Sequence, residues 1–380
     1  MRDRQHATRG RLEIYLLDMD AVLLHPGGYR AALIATVNHF STAMGLGEQA
    51  PAVEEIEAFE AAGITSEWDS ASICIAALLA ASAHEYSGGF SDAASALRGD
   101  GRRHGPRPDY RALAGRVAAE LRRGEYPAEA AYRLLLNDRS SDGLRRPLAE
   151  LLLYTRDIHR SPVLPVFQQF TLGEAYEATY GLPRTIETES LLLKHDRPAL
   201  SHPVPPRSAI YTARPSNPPR DVPPRSGVGY APEAELGAGL VGLSHLPLIG
   251  YGSLKWLAET VGGDTHQYVK PSPVHALAAI GAATGALESE ALVAAEALTR
   301  GEWLSALKDI RGGRGRVTVF EDSASSIRGV REAVSLLGEG WQCRGIGISA
   351  GGPKREALAH VADRVYPSLD AAIEECRGET

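Results

Sequence analysis

The sequence predicts an α/β fold, a doubly wound parallel sheet with a helical region inserted after its first strand. Three observations predict it. The apolar run Leu-Glu-Ile-Tyr-Leu-Leu that starts at Leu12 ends at two carboxylates, Asp18 and Asp20. Residues 25 to about 200 show helical patterning and no convincing strand. From Ser208 onward, short apolar runs alternate with helical stretches, the pattern of parallel pairing through crossovers.

The first strand carries almost no polar alternation, which suits a strand buried on both faces. In such sheets ligands bind beyond the carboxyl ends of the strands, where Asp18 and Asp20 fall. Residues two apart in an extended segment share a side, so both carboxylates are expected to reach one substrate atom. One would attack while the other gives or takes a proton. By itself, an Asp-x-Asp pair also fits a polar turn that merely ends a strand.

Composition sets bounds. The chain has 380 residues, enough for one large or two ordinary domains. Hydrophobic residues make up 44% and charged residues 23%, as in ordinary globular proteins. The formal net charge of -7 leaves no basic footprint, so nucleic acid is not expected as a partner. Cys74, Cys343 and Cys376 lie far apart without CxxC spacing, which fits a reducing cytoplasm and no disulfide framework. The charged first ten residues lack the apolar centre of a signal peptide. No apolar run is long enough to span a membrane, and no membrane partner is expected.

The elements follow in order. Helical spacing covers 29–44, with Leu33, Val37, Phe40 and Met44 on one stripe, and then 54–62. Residues 63–69 break the pattern, and a helix over 70–83 follows with Asp69 or Ser70 as its cap. The Gly-, Ser- and Arg-rich stretch 86–109 reads as a loop-bearing insertion. Helices are expected over 110–123, 128–136, 147–159, 167–180 and 185–194. Pro203, Pro205 and Pro206 form a linker. Strands are then expected over 208–212, 265–269, 316–320, 343–348 and 364–366. Between them come a Pro-rich loop at 215–226 and helices over 231–240, 251–261, 273–284, 289–307, 325–337, 354–360 and 368–376. The domain division is therefore 1–24 with 205–380 for the α/β core, and 25–204 for the helical region.

Four expected strand ends carry polar signatures: Asp18 with Asp20, Thr212, Lys270, and Glu321 with Asp322. In a parallel sheet all four lie along one edge. Together they suit phosphoryl transfer. A carboxylate attacks phosphorus, a second works on the leaving group, and a hydroxyl and an ammonium hold the phosphoryl oxygens. The remaining carboxylates hold a hard divalent cation, which keeps nucleophile and phosphate from repelling.

These four segments, Asp18-Met-Asp20-Ala-Val, Tyr-Thr212-Ala-Arg, Val-Lys270-Pro-Ser-Pro and Val-Phe-Glu321-Asp322-Ser, resemble the four motifs of the haloacid dehalogenase superfamily. The resemblance covers about residues 10–24 and 205–376. It implies a Rossmann-like core and a magnesium-dependent phosphatase acting on a small phosphorylated metabolite through an aspartyl-phosphate. It would make Asp18 the nucleophile and Asp20 the general acid/base. Thr212, with the adjacent Ala213, and Lys270 would bind the phosphoryl group. Asp18, the Asp20 backbone carbonyl and Asp322 would ligate Mg2+, with Glu321 beside them. The presence of Asp20 points away from the dehalogenase branch. The helical insert sits where the family's C1 cap sits, and such caps close over the site and select substrate. Gly28-Tyr-Arg-Ala-Ala and Gly63-Ile-Thr-Ser-Glu-Trp-Asp69 are also similar to an uncharacterised subgroup of these hydrolases. Two functions compete with hydrolysis: a phosphomutase sharing every motif, and a catalytically silent binding or regulatory protein.

Plainer readings stand beside these. Thr212 fits an ordinary strand-end threonine, Lys270 a solvated lysine, and Asp322 a helix cap. Glu321 fits a surface residue equally well. Arg214 reads as an exposed loop arginine and His25 as a solvated loop histidine. Glu67, Trp68 and Asp69 fit either a loop facing the site or the start of a helix. Ala21 stands where the resemblance implies glycine, and its small side chain predicts little harm. Gly345-Ile-Gly347 lacks the rest of a dinucleotide fingerprint.

Overall fold

A computed structural model of the chain describes residues 11–82, 88–100, 107–122, 124–138, 142–308 and 310–378. The chain divides into two compact units. One joins the residues through Pro26 to those from Asp196 onward, and the other is Gly27–His195. The division therefore falls just after the expected residue 24 and some way before 205. The reason is a two-stranded antiparallel ribbon in which β2 (Leu24–His25) pairs with β3 (Arg197–Pro198). This ribbon ties both chain crossings to the α/β unit.

The α/β unit carries a six-stranded, all-parallel sheet. Its strands are β1 (Leu12–Leu17), β4 (Ser208–Tyr211), β5 (Leu248–Ile249), β6 (Gly315–Glu321), β7 (Trp341–Ile348) and β8 (Arg364–Tyr366). Their order is β5-β4-β1-β6-β7-β8. The chain runs outward from β1 through β4 to β5, then returns across β1 and runs outward through β6, β7 and β8. The order thus reverses between β1 and β6, the crevice where ligands bind in doubly wound sheets.

Both sheet faces are covered. Ile14 and Leu16 of β1, Ala209 and Tyr211 of β4 and Val317 and Val319 of β6 share one core with the helices Tyr251–Val261, Pro273–Ala283, Glu288–Thr299 and Ala324–Leu336. Leu17, Ile210 and Phe320 pack on the other face with Glu233–Leu240 and Leu369–Gly378. Burial of apolar side chains on both faces explains why these strands read as continuous hydrophobic runs.

The Gly27–His195 unit is helical throughout its described regular structure. At its centre lies Glu67–Ala81, buried almost without interruption from Asp69 to Ala80. It packs against Gly28–Ala43, Pro127–Asp138 and Asp142–Leu152. No described helix is long and apolar enough to cross a membrane.

Several sequence expectations need correction. Thr265–Gln267 is a single 3-10 turn, not a strand. Asp264 accepts from the His266 N–H at 3.0 Å, and this local bond competes with extended pairing. Helix Phe90–Asp100 forms inside the expected loop 86–109, of which 86–87 and 101–106 lie outside the described residues. Helix 147–159 is instead Asp142–Leu152, with Pro147 inside it and not at its start. The expected 167–180 helix breaks at Gly173, which has positive φ and where a Cβ would meet the Ser190 nitrogen at 2.4 Å. Helix 185–194 shortens to Leu191–His195, and 289–307 splits into Glu288–Thr299 and Ser305–Lys308.

Candidate active site

The site grows from the register of three neighbouring strands. Leu17 of β1 sits beside Ile210 of β4 and Phe320 of β6. One residue further, Asp18, Tyr211 and Glu321 therefore form the next row. Side chains alternate along a strand, so this row takes the opposite face, that of the Pro273–Ala283 helix. Lys270 arrives on that face just ahead of this helix, through a cis Lys270–Pro271 peptide. Gly329 lets that loop approach, because a Cβ there would meet the Pro271 carbonyl oxygen at 2.0 Å.

Lys270 Nζ donates to Asp18 Oδ1 at 2.6 Å and to Glu321 Oε1 at 2.7 Å. It also lies 4.1 Å from the centre of the Tyr211 ring. The Tyr211 hydroxyl donates to Glu321 Oε1 at 2.7 Å, and the Ser323 N–H donates to Glu321 Oε2 at 3.1 Å. Both Glu321 oxygens are thus engaged, and the side chain is fully buried. Glu321 is not a surface residue; it anchors Lys270 and Tyr211, and it belongs to the acidic group that could hold a metal ion. Asp18 Oδ1 also accepts the Met19 N–H at 2.7 Å.

His275 holds the lysine from behind. Its Nδ1 faces the Lys270 N–H at 3.3 Å and its Nε2 faces the Ile249 carbonyl at 2.9 Å, a pattern that assigns the proton to Nε2. Burial, and then the Lys270 charge, pull its pKa down to about 3, so the ring is neutral.

Negative charge is in surplus here. Asp18, Glu321 and Asp322 each bring an oxygen within 4.8 Å of the others. Asp322 pairs with Lys354. Burial, then Glu321, raise the Asp18 pKa well above the ordinary aspartate value, against the pull of Lys270. Burial likewise raises Asp322, opposed by Lys354. Burial also works against the Lys270 ammonium, yet Asp18 and Glu321 together hold its pKa above the ordinary lysine value. A buried cluster of hard oxygen donors with excess negative charge fits a small divalent cation, with Asp18, Glu321 and Asp322 as the carboxylates that could hold it.

The other predicted residues fall as follows. Thr212 directly follows β4; it is buried, and its hydroxyl accepts the Arg214 N–H at 3.2 Å. Ala213 next to it is exposed. Asp20 does not point with Asp18, because the chain turns after β1: the Leu23 and Leu24 N–H groups both return to the Met19 carbonyl, at 3.0 and 2.9 Å. Asp20 instead pairs with Arg214, whose Nε lies 3.1 and 2.9 Å from its two oxygens. Arg214 is 3% exposed, which overturns its reading as an exposed loop arginine. Lys270 does not end a strand and is not solvated; its side chain is 9% exposed. Ser323, not Asp322, holds the cap position of Ala324–Leu336. Asp69 is not the cap; it lies inside the first turn of Glu67–Ala81, paired with Arg156 at 2.6 Å. His25 is exposed, as expected. Sequence reasoning missed Tyr211, His275 and Lys354 altogether.

A crystal structure of a Northeast Structural Genomics Consortium target is similar over nearly the whole length, with a TM-score of 0.62, 13% identity, and 97% of this chain and 99% of that chain covered. At that identity the likeness concerns the fold alone. No protein-family model matches the chain, and neither does any curated protein.

Proposed function

We propose that this chain is a magnesium-dependent phosphatase of haloacid dehalogenase type, hydrolysing a small phosphate monoester through an aspartyl-phosphate on Asp18. One observation carries the reading. A buried ammonium, Lys270, bridges two carboxylates at the sheet's switch point, with a third carboxylate in reach. A purely structural ion pair needs one carboxylate per lysine. With Lys354 on Asp322, three carboxylates face two lysines, which leaves negative charge for a cation to meet.

Asp18 and Asp322 would hold the magnesium ion, which when bound supplies the positive charge that lets a carboxylate and a phosphoryl group share the pocket. Lys270 grips Asp18 Oδ1 and leaves Oδ2 to attack phosphorus. As the Asp18–phosphorus bond forms, the ester P–O bond breaks, and the leaving oxygen takes a proton from Asp20. Water then attacks phosphorus and gives its proton back to Asp20, and the Asp18–phosphorus bond breaks to release inorganic phosphate. Thr212, whose hydroxyl proton remains available to donate, is suited to a phosphoryl oxygen. The helical unit would serve as the cap that excludes water and selects substrate.

The test is phosphate release from para-nitrophenyl phosphate and a panel of metabolite phosphates, with magnesium and with EDTA. Magnesium-dependent release in the wild type, reduced by about a thousandfold or more in Asp18→Asn, is the expected result. Unchanged turnover in Asp18→Asn overturns the reading.

A further inference from the structure

The main chains of Thr212 and Lys270 meet at one carbonyl. Ile249, the last residue of β5, offers its oxygen to the Thr212 N–H at 3.0 Å and to His275 Nε2 at 2.9 Å. A carbonyl oxygen only accepts, and its two lone pairs suffice for both donors. Nε2 therefore carries the proton, and Nδ1 is left to accept the Lys270 N–H at 3.3 Å. Thr212 hangs on Ile249 directly, and Lys270 hangs on it through the imidazole.

The imidazole is built into the core. His275 is fully buried in the Pro273–Ala283 helix, and the Tyr211 ring meets it edge-on with centroids 5.3 Å apart. Its neighbours Val274, Ala276 and Leu277 are buried and apolar, so packing alone does not call for histidine at this position. What histidine supplies is one nitrogen that donates and one that accepts, on a single rigid ring.

The two ends of Lys270 are thus held separately. Asp18 and Glu321 hold the ammonium at 2.6 and 2.7 Å, and His275 holds the main chain from which the side chain starts. We infer that His275 is a positioning residue that sets the Lys270 ammonium and the Thr212 hydroxyl in one frame, so that both meet the same phosphoryl group. The inference rests on the proposed phosphatase reading, which gives His275 no part.

The experiment is a double-mutant cycle in the full-length protein with magnesium. It reads kcat on para-nitrophenyl phosphate and the inhibition constant of inorganic phosphate. His275→Asn keeps an acceptor for the Lys270 N–H and loses the bond to Ile249. His275→Gln reaches far enough to donate to Ile249 and loses the acceptor for Lys270. Each variant breaks the bridge at one end, so each should weaken phosphate binding and lower kcat by about tenfold, as small displacements of a binding group do. Thr212→Val removes the hydroxyl that the bridge aligns with Lys270. In that background the same His275 substitutions should cost only about two- to threefold, because no second group is left to align. Urea unfolding checks that the compared variants are folded. Should His275→Asn not fold, His275→Gln, which fills more of the buried space, carries the test. Equal losses in the two backgrounds, or no loss in either, would show that His275 only fills the core and would overturn the inference alone. Turnover that is absent in the wild type, or undiminished in Asp18→Asn, overturns the phosphatase reading and this inference with it.

Discussion

Asp69 in the helical unit and Asp18 in the α/β unit are both buried aspartates held by a cation, yet their surroundings differ in one respect. Arg156 grips both oxygens of Asp69, at 3.0 and 2.6 Å, and stacks 3.5 Å from the centre of the Tyr126 ring. One charge meets one charge, and the geometry is closed. Around Asp18, one ammonium serves two carboxylates, and a third, paired with Lys354, stands close by. A balanced buried pair holds the fold together. An unbalanced one is tolerated at some expense of stability, which agrees with the catalytic role proposed for Asp18.

Neutralising each aspartate gives the largest effect and should give opposite signs. Asp69→Asn strips the partly exposed Arg156 of its counter-charge and weakens two bonds to a buried acceptor, and should cost about 2 kcal/mol. Asp18→Asn removes surplus negative charge and leaves Lys270 paired with Glu321. It should be neutral or stabilise by about 1 kcal/mol. Urea unfolding midpoints of the two variants measure this directly. A comparable loss in Asp18→Asn would make Asp18 a structural counter-ion to Lys270, and the contrast between the units would vanish.

Glu235, in helix Glu233–Leu240, sharpens the comparison because no cation among the described residues grips its carboxylate through a bond. One oxygen accepts the Asn217 N–H at 3.0 Å, and the other is buried without a hydrogen-bond partner among the described residues. Burial raises its pKa to about 7. The folded protein thus holds this proton at pH values where the unfolded chain, near the ordinary 4.5, has lost it. Between these values the native state binds more protons, so this group's contribution falls as pH rises from about 4.5 to 7. Glu235→Gln keeps an acceptor for Asn217 and removes the charge. It should stabilise by about 1–2 kcal/mol at pH 8, allowing for the residue's partial exposure, and have little effect near pH 4. Thermal melts across that range would show the two curves converging at low pH. Parallel curves would mean that the carboxylate is solvated.

The sheet was legible where strands are long and apolar. The runs ending at Asp18 and Glu321 have no plausible solvent face, so both their type and their ends followed from pattern. Two-residue β5 carries too little pattern to read, and it passed unseen between its loops. The stretch 265–269 was expected to be a strand, but an Asp264 side-chain bond accompanies a 3-10 turn over Thr265–Gln267. At the site, the carboxylates could be found because they end strands. Their partners could not: Tyr211 meets Glu321 across 110 residues, and Arg214 meets Asp20 across 194. The buried Arg214 faces acids supplied by distant segments, Asp20 and Asp196, and nothing local in the Pro-rich stretch around it signals that. Lys354 was missed for the same reason, since Asp322 lies a strand away.

The smallest expected effect concerns the turn that separates Asp20 from Asp18. Ala21 has φ of 60°, in the left-handed region, where a Cβ crowds the neighbouring carbonyl. Its replacement of glycine was expected to do little harm on grounds of size, but the backbone angle matters more than the volume. The turn is held by two N–H groups converging on Met19, so the angle cannot relax without losing them. Ala21→Gly removes the crowding but adds freedom to the unfolded chain, which offsets part of the gain. A net stabilisation of about 0.5–1 kcal/mol is expected, read as a small rise in the urea midpoint with an unchanged slope. Since the substitution touches neither ion cluster, it should leave the opposite responses of Asp18→Asn and Asp69→Asn intact when combined with either. A change in the Asp18→Asn response alone would show that the turn and the carboxylate cluster share one strained unit.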